Sequence, residues 1–384
     1  MPEYLAPGVY VEEVSFRSKS IEGVGTSTCA FAGPTRKGPV GVAPELLTSF
    51  ADFERTYGGL EDLAFTGDTD PAHNRHYLAH AAQAFFNNGG ARLYVVRATG
   101  SGAQAASGVG TPVVAGAAAG AEKAWFEARF DGSHFNGATV TVQQVSTPTG
   151  AQALAGLPDG SAVRVHQKSD GSSVGVFLKA AGAWTQDSPP ASPEIADLVA
   201  DLDATYSVVL LSFNVSVSAG ANDNTGYAGL TLASSSPSWI GSVLAAEPAT
   251  RAARLVQPVG LYLGTTAPTV TELLTAFGGG ELDSDGAEPK TVYTLSGGSD
   301  GAAPDADEYA EALGILVGLE DVSIVAAPGY SAFYTDADPD TYQAIQDALL
   351  THVADPRRYR MAVLDAPPAV TPGQMRELRG LVDS

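Results

Sequence analysis

A short apolar run, Val292 to Leu295, leads into the glycine-rich turn LSGGSDG, then into a segment of helical period, then into a second apolar run, Val322 to Ala326. Read locally, Thr291 to Gly329 is a strand, a helix and a strand, and a βαβ unit commits a chain to a parallel sheet with helices packed against it. A glycine-rich turn between a strand and a helix start is also where anion sites arise, because bare backbone N–H groups converge there. This turn offers Gly297, Gly298 and Gly301 with Ser299 and Asp300, but no Lys or Arg to hold a phosphate. The better reading of Gly297, Gly298, Asp300 and Gly301 is a core turn that lets the chain enter the helix sharply.

The same alternation occurs near both ends of the chain. Val24 to Ala32 reads as a strand, followed by the turn GPTRKGP. Ser49 with Asp52 three residues on reads as a helix start, Phe50, Phe53 and Tyr57 share one face, and Gly58-Gly59 close the helix. Asp70-Pro71 is expected to cap a longer helix with Tyr77, Ala81 and Phe85 beside Leu78, Ala82 and Phe86, which NNGG ends before the strand Arg92 to Ala98. Past Gly329, Asp338-Pro339 precedes a helix carrying Tyr342, Ile345 and Leu349, Arg360 to Leu364 reads as a strand, and Thr371-Pro372 with Gln374 opens a last helix with Met375, Leu378 and Leu381.

Between these stretches the pattern changes. Residues 101–124 are Gly, Ala, Ser and Val without amphipathic period and read as a linker. Strand-type runs follow at Ala124 to Phe130, Ala138 to Val145, Ala162 to Gln167, Gly175 to Lys179 and Tyr206 to Phe213, punctuated by Asp131-Gly132, Asn136-Gly137, Asp159-Gly160 and Asp170-Gly171 as hairpin turns would be. Pro237 to Ala246 reads as a helix and Pro258 to Gly264 as a short strand, while the turn-rich, acidic Thr265 to Pro289 reads as a return linker. The predicted fold class is therefore α+β multidomain. A discontinuous α/β core, 21–100 with 291–384, carries a β-rich inserted domain, 101–290, for which a sandwich is one candidate architecture, and an extended N-terminal β-arm, 1–20. In the arm, Val9 and Val11 point one way while Tyr10 and Glu12 point the other, with Glu13 and Val14 closing the strand. A terminal strand on a polar tether can fold back onto its own sheet or add to a neighbour's.

Charge and motifs exclude more than they assign. Against 43 Asp and Glu stand 21 Lys and Arg, a formal charge of −22, which opposes nucleic-acid binding through phosphate neutralisation. No window approaches the ~18 apolar residues of a membrane span. The opening MPEYLAPGVYVEEV has three glutamates and no apolar core of a secretory signal, so the chain is expected to fold in the cytoplasm. Cys29 lies in the apolar run TSTCAFAG and reads as a small buried thiol. His73, His76 and His80 have a spacing that could hold a metal, but no further ligand is near and a solvated helix face is the expectation. Asp336, Asp338 and Asp340 alternate as Ca²⁺ ligands do, yet Pro339 intervenes and Thr341 stands where the turn glycine belongs. Walker, nucleophile-elbow, zincin and paired-cysteine motifs are missing, and His166 and His352 sit in no hydrolase pattern that would activate Ser299. Neither an enzyme nor a cofactor is expected.

YLAPGVYVEEV followed by IEGVGTSTCAFAGPTRKGP closely resembles the amino-terminal signature of contractile tail sheath proteins, of bacteriophage tails and related contractile injection systems. The blocks AAQAFFNNGGARLYVVRA, ARFDGSHFNGATVTV, LSGGSDG, VSIVAAPG and RRYRMAVLDAPP look like further family segments in the expected order. The resemblance implies a structural protein of the virion or injection particle, assembled in the cytoplasm as a helical sleeve of like subunits around an inner tube, with baseplate and terminator proteins at its ends. It implies that the arm Val9, Tyr10, Val11, Glu12, Glu13 and Val14 pairs with neighbouring subunits by strand exchange. Family members usually continue past the last helix into a tube-contacting domain, so a chain ending at Ser384 is expected to be a truncated, monomeric piece. From another class, the Gly- and Ser-rich insertion suggests an envelope- or glycan-binding module on an α/β scaffold.

Overall fold

The computed structural model describes residues 28–112, 124–187, 204–220, 224–263, 268–279, 288–335 and 339–381. The predicted arm, Val9 to Val14, lies outside them, as do Asp336 and Asp338.

Four strands, β1 (Thr28–Gly33), β2 (Arg92–Arg97), β13 (Ile324–Ala326) and β14 (Met361–Val363), form a parallel sheet in the order β14-β13-β1-β2. All six residues of β1 are buried, as a central parallel strand requires. Its side chains alternate between two cores. Cys29 and Phe31 meet α1 (Phe50–Tyr57) and α2 (Tyr77–Asn87) through Phe53, Tyr57, Leu78 and Ala82. Ala30 and Ala32 face α7 (Ala306–Ile315) and α8 (Asp340–Ala354) through Tyr309, Leu313, Ile345 and Leu349. Period two in the strand and 3.6 in the helices thus give a three-layer α/β/α unit. Ser49 caps α1, its hydroxyl accepting the Asp52 N–H. Asp70-Pro71, however, does not start α2. Asp70 accepts the Ala72 N–H in a local turn, and the helix begins only at Tyr77.

The second unit is a ten-stranded sheet: β3 (Ala105–Pro112), β4 (Ala124–Asp131), β5 (Thr139–Thr149), β6 (Ala162–Gln167), β7 (Ser173–Ala180), β8 (Ala183–Gln186), β9 (Tyr206–Ser218), β10 (Asn224–Leu230), β11 (Val259–Leu263) and β12 (Lys290–Thr294). The hydrogen-bonded order is β11-β4-β3-β12-β5-β9-β6-β7-β8, with β10 also on β9, so the strands form one continuous sheet. Alternation sets the buried face: Ala124, Phe126, Ala128 and Phe130 are buried and the residues between them half-buried. Short helices α3 (Ala151–Gly156), α4 (Ile240–Val243), α5 (Arg251–Val256) and α6 (Val270–Ala276) lie between strands, and α9 (Pro372–Leu381) closes the described chain.

Four expectations are corrected here. Val292 to Leu295 is not the first strand of a βαβ unit with Val322 to Ala326, because β12 lies antiparallel between β3 and β5 while β13 belongs to the parallel sheet. The core's boundary at residue 291 therefore falls inside the large sheet, and the parallel crossover is made by β1, α1, α2 and β2 instead. Part of the supposed linker 101–124 is β3, held on both sides by β4 and β12. The acidic return segment contains α6, started by a capping box in which Thr269 accepts the Glu272 N–H and Glu272 accepts the Thr269 N–H. Among the proposed hairpin turns, Asp170-Gly171 joins the paired strands β6 and β7, whereas Asn136-Gly137 links β4 to β5, which do not pair.

Candidate functional site

The two sheets are joined by two stretches of chain that run side by side. Outgoing residues 98–107 and returning residues 295–302 form antiparallel bridges, Gln104 with Ser299 and Ser107 with Ser296, each closed by two backbone hydrogen bonds at 2.9 Å. Ala302 N–H also donates to Ser101 O at 2.9 Å. Glycines line this neck where backbones meet. A Cβ on Gly100 would stand 2.1 Å from Ala302 O, one on Gly298 2.3 Å from Gly132 O, and one on Gly301 2.6 Å from Ala103 N. Gly297 and Gly301 also have φ of +80° and +72°, the left-handed region.

Asp300 sits in the middle of the neck, 7% exposed. Its carboxylate accepts Ala64 N–H at 2.7 Å from the α/β unit, and Ser133 N–H at 2.6 Å and the Ser133 hydroxyl at 3.1 Å from the β-rich unit. Arg97, at the end of β2 and 3% exposed, donates to Gly38 O at 2.9 Å and Asp131 O at 2.8 Å, again one acceptor on each side. Burial pulls the guanidinium pKa down to about 10, against the pull of Asp131 and Asp300, so it stays charged at neutral pH. Asn136 completes the seam by pairing both its amide nitrogen and oxygen with the Gly298 backbone at 2.8 Å.

The arrangement leaves little for phosphate or nucleophile chemistry at the glycine turn. The N-terminus of α7 is occupied by the chain's own acids: Asp305 accepts Asp307 N–H, and Glu308 accepts Asp305 N–H. The Ser299 hydroxyl lies 3.1 Å from the Thr66 hydroxyl and accepts Gly301 N–H, and neither of these partners is a base. In α/β sheets, ligands bind outside the carboxyl ends of strands where the strand order reverses, here between β1 and β13. Leu78 and Tyr309 crowd Gly33 there, and the Tyr77 ring crowds Gly329. Beside this plug, Asp365 borders an opening of about 440 Å³ and accepts Gly329 N–H at 2.8 Å, burial pushing its pKa up.

The three histidines divide by environment, and only His80 lies in α2, His73 and His76 falling in the turn ahead of it. His73 is half-buried and lies 2.7 Å from Asp68, and His80 is exposed. His76 is fully buried, not solvated, with Nδ1 2.8 Å from Gly59 O and its ring against Phe53. Among the described residues no group of three or more His, Cys, Asp or Glu could hold a metal ion. Desolvation lowers the His76 pKa to about 4, so the neutral ring is the folded form. Because this pKa is depressed, the contribution is whole above the unfolded value near 6.5 and is lost as pH falls toward 4. An NMR titration is therefore expected to show the His76 ring neutral down to pH ~5, and a midpoint near 6.5 would contradict the burial argument.

One edge of the parallel sheet is uncovered among the described residues. Among the described residues β14 pairs only with β13, and Met361 (59%), Val363 (45%) and the preceding Tyr359 (91%) are exposed. A groove lined by Val317, Leu319, Ile324, Arg357, Arg358 and Met361 runs along it.

No family model matches the chain, and no curated protein does. Among solved structures it is similar to the sheath tail protein from Desulfitobacterium hafniense, with 16% identity and a TM-score of 0.35, over 94% of this chain and 54% of that one. The chain thus spans about half the length of that protein. No helix among the described residues is long and apolar enough to cross a membrane.

Proposed function

We propose that the chain is a non-catalytic structural subunit of a contractile tail sheath. Copies polymerise around an inner tube between baseplate and terminator proteins, and the assembled sleeve contracts to drive the tube through a target envelope. Its site of assembly is the cytoplasm, and its final place is a phage tail or an injection particle. The observation that carries this reading is the edge strand β14, uncovered among the described residues, with Met361 and Val363 exposed beside a groove lined by both apolar and charged side chains. Proteins ordinarily shield such edges with charge, bulges or cover, and an unshielded edge is a template for a strand from another chain. The arm Val9 to Val14 alternates as such a strand would. The neck suits the same task, since two units welded through buried glycines and Asp300 keep strain for the contacts between subunits.

The test is a cross-link between copies. Cys29 is the single cysteine and is 7% exposed, so engineered thiols are read without background. Chains carrying Val11→Cys are mixed with chains carrying Met361→Cys or Val363→Cys and oxidised. Each chain has one new thiol, so a mixed disulfide dimer arises only between copies, and it is the expected product. Mixed dimer no more abundant than with a Val40→Cys partner, also exposed but remote from the edge in sequence, would sink the strand-exchange reading.

A further inference from the structure

Directly ahead of β14 the chain reads RRYR, and two of these arginines close on His352 at the end of α8. Arg360 Nη1 lies 2.7 Å from His352 Nε2, and the other terminal nitrogen of Arg360 donates to Leu316 O at 2.9 Å and to Leu319 O, where α7 ends. Arg358 Nη1 donates to His352 O at 3.1 Å and stands 3.5 Å from the ring's Nδ1. A guanidinium has five N–H donors and no acceptor, so the 2.7 Å contact requires an unprotonated Nε2. The ring is 6% exposed, leaving water little access to replace a lost bond. We propose that His352, Arg358 and Arg360 form an acid-sensitive latch that holds edge strand β14 in its sheet, and that protonation of His352 releases the edge.

This rests on the reading of β14 as the strand at which copies meet, and it adds a control on that strand. Protonation would turn the 2.7 Å bond into N–H against N–H and put three cations together. The charged groups facing the ring are Arg358 and Arg360 from the loop ahead of β14. Asp355 follows α8 and is already shared by Arg357 at 2.9 Å and Arg358 at 3.3 Å, while Asp321 ahead of β13 acts on Arg360 and pairs with Arg92 at 2.7 Å. Neither carboxylate is free to neutralise the imidazolium. Arg360 immediately precedes Met361, whose N–H donates to Ser323 O at 2.9 Å as the first rung holding β14, so freeing Arg360 loosens that rung.

The latch is read by hydrogen exchange of the Met361 amide in the unassembled chain, corrected for the intrinsic pH dependence of exchange. Burial and the two arginines lower the His352 pKa to about 4, and an opened ring recovers about 6.5. Linkage then raises the opening constant about 30-fold between pH 8 and pH 5. In His352→Gln, whose amide oxygen still accepts from Arg360, the rise over that range is expected to fall about 30-fold short of that in the unsubstituted chain, effects of His76 being common to both and cancelling in the ratio. Equal rises in the two chains, or a ratio between them below ~3-fold, would overturn the latch. Should His352→Gln fail to fold, the ring titration of the unsubstituted chain decides, since a midpoint near 6.5 overturns the proposal and one near 4 supports it. Because the readout needs no polymer, a latch that fails leaves the cross-link between Val11 and β14 standing, and the reverse.

Discussion

Asp300→Ala is expected to destabilise the protein by about 4 kcal/mol and to separate the unfolding of the two units. The carboxylate accepts hydrogen bonds from Ala64 N, Ser133 N and the Ser133 hydroxyl, and it faces the buried Arg97. Alanine leaves two backbone donors and a hydroxyl without this acceptor in a part-buried site, and each orphaned group costs about 1–3 kcal/mol where water does not replace the bond. It also takes one carboxylate from beside a buried guanidinium that remains charged. The positions of the chromophores make the uncoupling measurable. All three tryptophans, Trp125, Trp184 and Trp239, lie in the β-rich unit, while the two longest helices, α2 and α8, lie in the other together with α7. Tryptophan fluorescence and helical circular dichroism thus follow different halves of one chain. In guanidinium the two signals are expected to coincide for the unsubstituted protein and to part for Asp300→Ala. Asp300→Asn, which keeps an acceptor oxygen, should lie between. Coincident curves for Asp300→Ala, with a midpoint shift no larger than that of the exposed Glu311→Ala, would mean that Asp300 does not join the units.

The parts of this architecture that could be read from the sequence are those whose pattern is local. Phe50, Phe53 and Tyr57, or Tyr342, Ile345 and Leu349, repeat at helical spacing because each helix buries one face, and both sets are in the cores as expected. What escaped was decided by contacts distant in sequence. AASGVGTP has little strand propensity of its own, and it becomes β3 because β4 and β12 pair with it on either side. A run such as Val292 to Leu295 announces a strand but not its sheet, so β12 was open to assignment beside β13, from which α7 separates it. The Thr269 and Glu272 box was visible at its three-residue spacing, but acidic and turn-forming neighbours hid it. The neck was half legible. Gly297, Gly298 and Gly301 signalled a turn, whereas Gly100, some 200 residues earlier, gives no sign in the sequence of meeting Ala302. His352 was visible only as a histidine outside any hydrolase motif, since its partners Arg358 and Arg360 reach it through a turn that periodicity does not describe.

The glycines of the neck make a series in which strain and crowding can be separated. Gly297 has φ +80° with nothing within 4 Å of a new Cβ, so Gly297→Ala carries only the left-handed penalty, about 1–2 kcal/mol. Gly298 lies outside the left-handed region, but its Cβ would stand 2.3 Å from Gly132 O and 3.0 Å from the Ala106 methyl. Since a carbonyl of a paired backbone cannot rotate away as a side chain can, Gly298→Ala is expected to cost about 2–3 kcal/mol. Gly301 combines both terms, with φ +72° and a Cβ 2.6 Å from Ala103 N, 2.8 Å from Ser101 O and 2.9 Å from Gly100 O. Gly301→Ala is expected to cost the most, about 4 kcal/mol. Guanidinium midpoints should therefore fall in the order Gly297→Ala, Gly298→Ala, Gly301→Ala, with the last also parting the fluorescence and dichroism transitions. If Gly297→Ala proved the worst, these glycines would serve backbone conformation alone and the two strands of the neck would have room between them. A neck with room would bend under load, and the two sheets would then move against one another. The expected order instead requires backbones pressed into contact, a joint that passes force from one sheet to the other.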